Sequence, residues 1–145
     1  MIVRLMEEVD SASVAVIEEQ NFSDPWSRKG ILETSAQKQA MILVAEERKE
    51  ITGYLILYYA LNEGEIARIA VLKKYQNQGV GSHLVWKLEN ICREKGITKV
   101  MLDVRAGNKN AERFYRKHGF ITDGRRRHYY VDPTEDAVLM SREIN

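Results

Sequence analysis

Apolar residues recur along this chain with two periods, and the alternation between them predicts its elements. Ile2-Val3-Arg4-Leu5 reads as a short strand. A helix follows Val9-Asp10-Ser11 and runs to about Gln20, with Asp10 placed to cap its free amides. Phe22 to Ser27 breaks the pattern. Asp24 as N-cap and Pro25 at the first helical position then start a second helix reaching about Ala36. Residues 40–47 and 51–60 are rich in β-formers and flank the polar turn Arg48-Lys49-Glu50, which predicts a hairpin. A third strand at 65–71 follows the turn at Asn62-Glu63-Gly64 and completes an antiparallel meander.

The period then changes. Leu84, Val85, Leu88, Ile91 and Cys92 share one face of a helix over 80–95, and Gly96 supplies its stop. Residues 97–104 read as a buried strand. Strand, helix, strand over 65–104 is a βαβ unit, so its two strands run parallel. Asn108 caps the next helix, with Ala111, Phe114 and Tyr115 inward and Gly119 ending it. Residues 120–122 and 136–140 close the chain as strands, joined through residues 125–130. The expected fold is α/β: one domain over residues 1–145, a mixed, mostly antiparallel twisted sheet with flanking helices around a central βαβ unit.

Composition narrows the class. The 145 residues are 44% apolar and 30% charged, which fits a globular chain with its own core. The single cysteine, Cys92, excludes an internal disulfide and a cysteine zinc site, and its place on the inward helix face makes it a core residue. His83, His118 and His128 lack metal-ligand spacing and read as surface or helix-end residues, so no metal is expected. The apolar runs Met41 to Ala45 and Tyr54 to Leu61 are far below the ~20 residues that span a membrane. The N-terminus has no signal-peptide core, so the expected location is cytoplasmic, without a membrane partner.

The net charge of +1 hides a segregation. Residues 73–131 hold 14 Lys/Arg against 5 Asp/Glu, a balance of +9, and the remainder of the chain carries −8. A basic stretch in a neutral chain points to a local anionic ligand more than to nucleic acid. Gln76-Asn77-Gln78-Gly79-Val80-Gly81-Ser82 lies inside that stretch, between the strand end Ile69-Ala70-Val71 and the 80–95 helix. Two glycines let the backbone turn tightly, and the helix presents free N–H groups and its positive dipole end at the same place. That is a phosphate cradle. It lacks the Lys-Ser/Thr of a Walker loop and the three glycines of a dinucleotide fingerprint.

Gln76-x-x-Gly79-x-Gly81 after Ile69-Ala70-Val71 resembles the acetyl-CoA motif of the GNAT acetyltransferase superfamily. The resemblance covers essentially the whole chain. Within the superfamily the sequence is similar to the RimI branch, the ribosomal-protein-alanine N-acetyltransferases. Pro25-Trp26-Ser27, Val104-Arg105-Ala106-Gly107-Asn108, and Arg127-His128-Tyr129-Tyr130 followed by Glu135-Asp136-Ala137 carry this closer likeness. The resemblance implies acetyl transfer from acetyl-CoA to a protein N-terminal α-amine, with the alanine of a small-subunit ribosomal protein as partner. It implies that backbone at Ile69, Ala70 and Val71 bonds the pantetheine arm and that amides of Asn77, Gln78, Gly79, Val80, Gly81 and Ser82 hold the pyrophosphate. It further implies that Asn108 meets the thioester end and that Tyr115 protonates the leaving thiolate. The structural alternative for Tyr115 is an amphipathic core tyrosine on its helix, by general burial habits.

The general base departs from the family pattern. The RimI pattern has glutamate where this sequence has Asp103, and aspartate is one methylene shorter. Asp103 then works directly, through a bridging water, or not as the base at all, with Glu65 in reserve. Its structural alternative is a pair with Arg105 or a cap on the next turn. Gly107 also replaces the family's usual serine. An α-amine, of pKa ~7.7–8.0, needs far less help from a base than lysine at ~10.4, so a weakly placed base suits an N-terminus. The alternatives are a GNAT enzyme acting on a small amine or a protein lysine, and a non-catalytic acyl-CoA-binding module. The module would keep the cradle and lose the acid and base; Tyr115 with Asn108 favours the enzyme. Arg125-Arg126-Arg127 reads as a solvated turn or a phosphate contact, Trp26 as part of a helix lid, and Tyr129 and Tyr130 as edge-strand packing near the peptide site.

Overall fold

The computed structural model describes residues 1–145. Seven strands form one sheet: β1 Ile2–Leu5, β2 Ala40–Glu47, β3 Glu50–Ala60, β4 Glu63–Val71, β5 Lys99–Arg105, β6 Ile121–Tyr130 and β7 Glu135–Glu143. They lie in the order β1-β2-β3-β4-β5-β7-β6, all antiparallel except the β4–β5 pair. Four α-helices cover it: α1 Ser11–Asn21, α2 Arg28–Ser35, α3 Val80–Lys95 and α4 Lys109–Lys117. The expected mixed sheet and parallel βαβ unit are present.

The apolar run Met41 to Ala45 is buried on both faces because helices cover both. Met41, Leu43, Leu55 and Leu57 face α3 and α4 together with Leu84, Leu88, Val100, Leu102 and Phe120. Ile42, Val44, Tyr54 and Ile56 face α1 and α2 together with Val14, Ile17 and Ile31. Cys92 is fully buried, and burial pushes its thiol up to about 11, which fits a core residue.

Both early helix starts differ from expectation. Asp10 does not cap α1: it accepts from the Glu7 amide at 2.8 Å and from Arg4 Nη1 at 2.7 Å, closing a 3-10 turn over Glu8–Asp10. The second helix begins later than Asp24-Pro25. Ser27 is its N-cap, its Oγ accepting from the Gly30 amide at 3.0 Å, and residues 22–27 form a loop. Residues 125–130 also depart from expectation. They are part of β6 and not a connection, and they continue the ladder with β7 across two register shifts.

Two features position the site. Parallel pairing of β4 with β5 covers only Glu63 to Glu65 against Lys99 to Met101, after which the strands part. In β4, Ile56 faces Arg68 and Leu57 faces Ile66, so Ala67 is a bulge that bends the strand as the gap opens.

Candidate active site

Two cavities occupy that gap and meet inside it. The smaller, about 330 Å³, is lined by Phe22, Asp24, Arg68, Asp103, Asn108 and Tyr130 among others. The larger, about 730 Å³, is lined by Val71, Asn77, Gly79, Gly81, Ser82 and Arg113 among others. Ile69, Ala111 and Tyr115 line both.

The larger cavity is built for an anion. Asn77 and Gly79 take left-handed backbone, with φ of 63° and 84°, and turn the chain into α3. Gly79, as N-cap, offers no side chain to the first-turn amides, which leaves them for a ligand. Arg113 and Lys117 line the cavity and no carboxylate does. This arrangement fits a pyrophosphate. Along the wall, Ile69, Ala70 and Val71 stand where β4 has lost its β5 partner. The Val71 carbonyl already accepts from Asn21 Nδ2 at 3.2 Å and Gln76 Nε2 at 3.3 Å. Gln76 therefore ties the cradle to the strand end. Gln78 lines neither cavity, and its side chain bonds the Lys74 carbonyl at 3.2 Å.

Gly81 is glycine for a reason the sequence concealed. A Cβ there would stand 3.0 Å from Phe114 Cζ, so packing of α3 on α4 constrains the position, beside a cavity that both residues line. Ser82 adds a side-chain link between the same helices, its Oγ 2.9 Å from His118 Nε2. His118 is at a helix end as expected but is buried and not at the surface, and burial holds its imidazole below the usual pKa.

Tyr115 is 7% exposed and packs edge-on against Phe114 and Phe120. Burial pushes its phenol above the ordinary value, so it is protonated at neutral pH and able to donate. Asn108 caps α4, its Oδ1 accepting from the Ala111 amide at 3.2 Å, and its side-chain N–H₂ remains to serve the smaller cavity.

Asp103 lies on β5 in the wall of the smaller cavity, exposed, with Tyr130 nearby. Burial first, and then the Asp103 carboxylate, push the Tyr130 phenol up to about 12. Asp103 makes no pair with Arg105, which binds Glu135 at 3.4 Å and stacks its guanidinium 4.4 Å over the Tyr130 ring. Glu65 lines neither cavity: it is exposed on β4 opposite Tyr58, where β4 is still paired with β5.

A buried group under the smaller cavity went unread in the sequence. Glu18 on α1 is fully buried; it accepts from the Trp26 amide at 2.8 Å and from the Tyr54 hydroxyl, and lies 3.6 Å from Arg68 Nε. Glu18 sits one turn before the helix end in an acidic Glu18-Glu19 pair, and its place on the inward face with Val14 and Ile17 was the signal available.

Residues 11–120 match the model of the acetyltransferase (GNAT) family. The chain belongs to that family. It is 34% identical over 143 residues to the ribosomal protein bS18-alanine N-acetyltransferase of Haemophilus influenzae, covering 97% of each chain. It is 30% identical over 142 residues to the enzyme of that name from Escherichia coli K12, covering 97% of this chain and 95% of the relative. The crystal structure of the Escherichia coli ribosomal-protein-S18-alanine N-acetyltransferase superposes with a TM-score of 0.90 at 28% identity, over 99% of this chain and 94% of that one. The chain is thus a RimI-like, acetyl-CoA-dependent N-acetyltransferase. No helix of this GNAT protein is long and apolar enough to cross a membrane.

Proposed function

We propose that this enzyme acetylates the N-terminal α-amine of a protein in the cytoplasm, with the N-terminal alanine of a small-subunit ribosomal protein as its acceptor. One observation carries the reading: a basic cavity and a mixed-charge cavity meet at Tyr115, with Asp103 on the acceptor side. The relatives named above act on ribosomal protein bS18, which supports the choice of acceptor.

In this reading the amides of Asn77 and of Gly79 to Ser82, with Arg113 and Lys117, hold the pyrophosphate of acetyl-CoA. The free edge of β4 at Ile69, Ala70 and Val71 guides the pantetheine arm. The thioester then lies beside Ile69, Ala111 and Tyr115, with Asn108 at its other flank. The amine enters from the smaller cavity and passes its proton to Asp103, directly or through a water. A C–N bond forms and the C–S bond breaks. Tyr115 gives its phenolic proton to the departing thiolate.

The test is mass spectrometry of acetyl-CoA reactions with peptides bearing a free N-terminal alanine, against N-blocked peptides containing lysine and against small amines. Mass gain confined to the free α-amine is the expected result. Acetylation of lysine or of small amines alone overturns the acceptor assignment, and no transfer to any amine identifies a binding module.

A further inference from the structure

We infer that Glu18 and Arg68 form a positioning pair that fixes the loop walling the acceptor cavity and neutralises that wall, an inference that rests on the acceptor site proposed above. The loop is residues 22–27, between α1 and α2, and Phe22, Ser23 and Asp24 line the cavity. It is held at three points. The Arg68 guanidinium lies 3.9 Å from the Phe22 ring centroid. Arg68 Nη2 donates to the Asp24 carbonyl at 3.1 Å. Glu18 Oε1 accepts from the Trp26 amide at 2.8 Å. Arg68 on β4 and Glu18 on α1 are themselves joined, 3.6 Å apart, and Tyr54 closes the remaining side of the carboxylate with its hydroxyl.

The charge arrangement has a consequence for the acceptor. An α-amine with pKa ~7.7–8.0 arrives largely as a cation at neutral pH. Arg68 lines its cavity, and an unpaired guanidinium there would repel it. Glu18 neutralises Arg68 from beneath, because it is fully buried and does not itself line the cavity. Asp24 adds a second, exposed partner at 3.6 Å. The cavity thus keeps a flat guanidinium as a structural clamp while Asp103 remains the carboxylate facing the amine without an ion-pair partner.

Two variants test this. Glu18→Gln keeps the size and the oxygen that accepts from Trp26 while removing the charge. Relative to wild type, its acceptor KM rises about tenfold at low salt and the gap narrows as salt is raised, because salt screens the repulsion between Arg68 and the incoming amine. Its kcat and its KM for acetyl-CoA stay within about twofold. A loss of kcat with unchanged acceptor KM, independent of salt, reveals a purely structural residue and overturns the inference. Arg68→Lys keeps the charge for Glu18 and loses both the stack on Phe22 and the bond to Asp24. In a Trp86→Phe background, which leaves Trp26 as the sole tryptophan, its emission shifts to the red and is quenched more by acrylamide. Unchanged emission overturns the clamp. This readout needs no acceptor, so it stands if wild type fails to acetylate any peptide, a failure that refutes the proposed function instead. Should Glu18→Gln not fold, the double variant Glu18→Gln with Arg68→Met replaces it: with both charges gone its acceptor KM follows salt as in wild type, and a rise of about tenfold at low salt overturns the neutralisation.

Discussion

Adding one methyl group at Gly81 puts a carbon 3.0 Å from Phe114 Cζ and 3.1 Å from Cε1. Carbon pairs sit best at ~3.5–4.0 Å, so the ring must retreat by roughly 0.5–1 Å. Phe114 is half-buried and packs on Tyr115 and His118, which leaves it some room toward solvent. Gly81→Ala should therefore cost about 1 kcal/mol, the low end of overpacking, and Gly81→Val about 3 kcal/mol. For a chain of this size, 1 kcal/mol is roughly 3–4 °C in Tm. The paired control is Gly79→Ala, where a Cβ meets nothing within 4 Å but φ is +84°. That variant should cost about 1–2 kcal/mol through backbone strain alone. The assay is urea unfolding of each glycine variant with and without Phe114→Leu, alongside calorimetry with CoA. Phe114 also lines the cavity, so a displaced ring should weaken CoA binding; Phe114→Leu should recover about 1 kcal/mol of the Gly81→Ala loss and none of the Gly79→Ala loss, and restore CoA affinity to Gly81→Ala. Additive energies at Gly81, with CoA affinity still lost when Gly81→Ala and Phe114→Leu are combined, would mean that the methyl collides with the ligand and that the packing argument is wrong.

Three further outcomes follow from the geometry. Tyr115→Phe keeps the contacts with Phe114 and Phe120, so kcat should fall ~10²–10⁴-fold with little change in acetyl-CoA affinity; near-normal turnover in stopped assays would make Tyr115 a packing residue. Asp103→Asn should cut kcat/KM near neutral pH, with the deficit shrinking above the α-amine's own pKa of ~8, whereas Glu65→Gln should leave the pH profile unchanged; a flat mutant-to-wild-type ratio for Asp103→Asn would remove it as the base. The Arg4 guanidinium, first through its hydrogen bond, holds the Asp10 carboxyl below the usual carboxylate range. A depressed folded pKa means that this stabilisation is complete above the unfolded value of ~3.9 and is lost as pH falls through the lower folded value. Denaturation midpoints of wild type and Asp10→Asn should therefore differ most above pH ~5 and converge toward pH ~2; a gap independent of pH would refute the assignment.

The sequence was most readable where one periodicity governed a whole element. The meander, α3 with its left-handed Gly96 stop, and the parallel β4–β5 pair follow from apolar spacing. Local capping signals misled where tertiary partners competed. Asp10 had a capping site within reach, but Arg4 and the Glu7 amide claimed its carboxylate. Asp24-Pro25 looked like a helix start, yet Arg68 draws the Asp24 carbonyl away and Ser27 takes the cap. The basic run 125–127 read as a turn because three arginines bury nothing, and β6 is an edge strand whose side chains need bury nothing. The turn into α3 was legible because backbone makes it, with left-handed Gly79 at the N-cap. Glu18 was not, because a fully buried carboxylate is justified only by an amide of the following loop and by a phenol and a guanidinium from two distant strands.

The splay between β4 and β5 connects these observations to the choice of acceptor. Once pairing ends at Glu65 and Met101, β5 carries Asp103 on the far side of the gap from Ile69, and α4 brings Tyr115 between them. In the proposed roles, an acid buried at the junction and a base exposed in the wall are unequal partners. Tyr115 is packed and protonated, whereas Asp103 has no ion-pair partner to orient it. A base held so loosely removes a proton well only from an amine that is close to losing it. At neutral pH an N-terminal amine lies ~1 unit above ambient pH and lysine more than ~3, a difference of roughly 3 kcal/mol in deprotonation cost. Under the proposed function, the short side chain of Asp103 leaves an α-amine within reach and places lysine beyond it. An Asp103→Glu variant should raise activity on lysine peptides by a larger factor than on α-amines; an equal gain on both would mean that Asp103 does not set this preference.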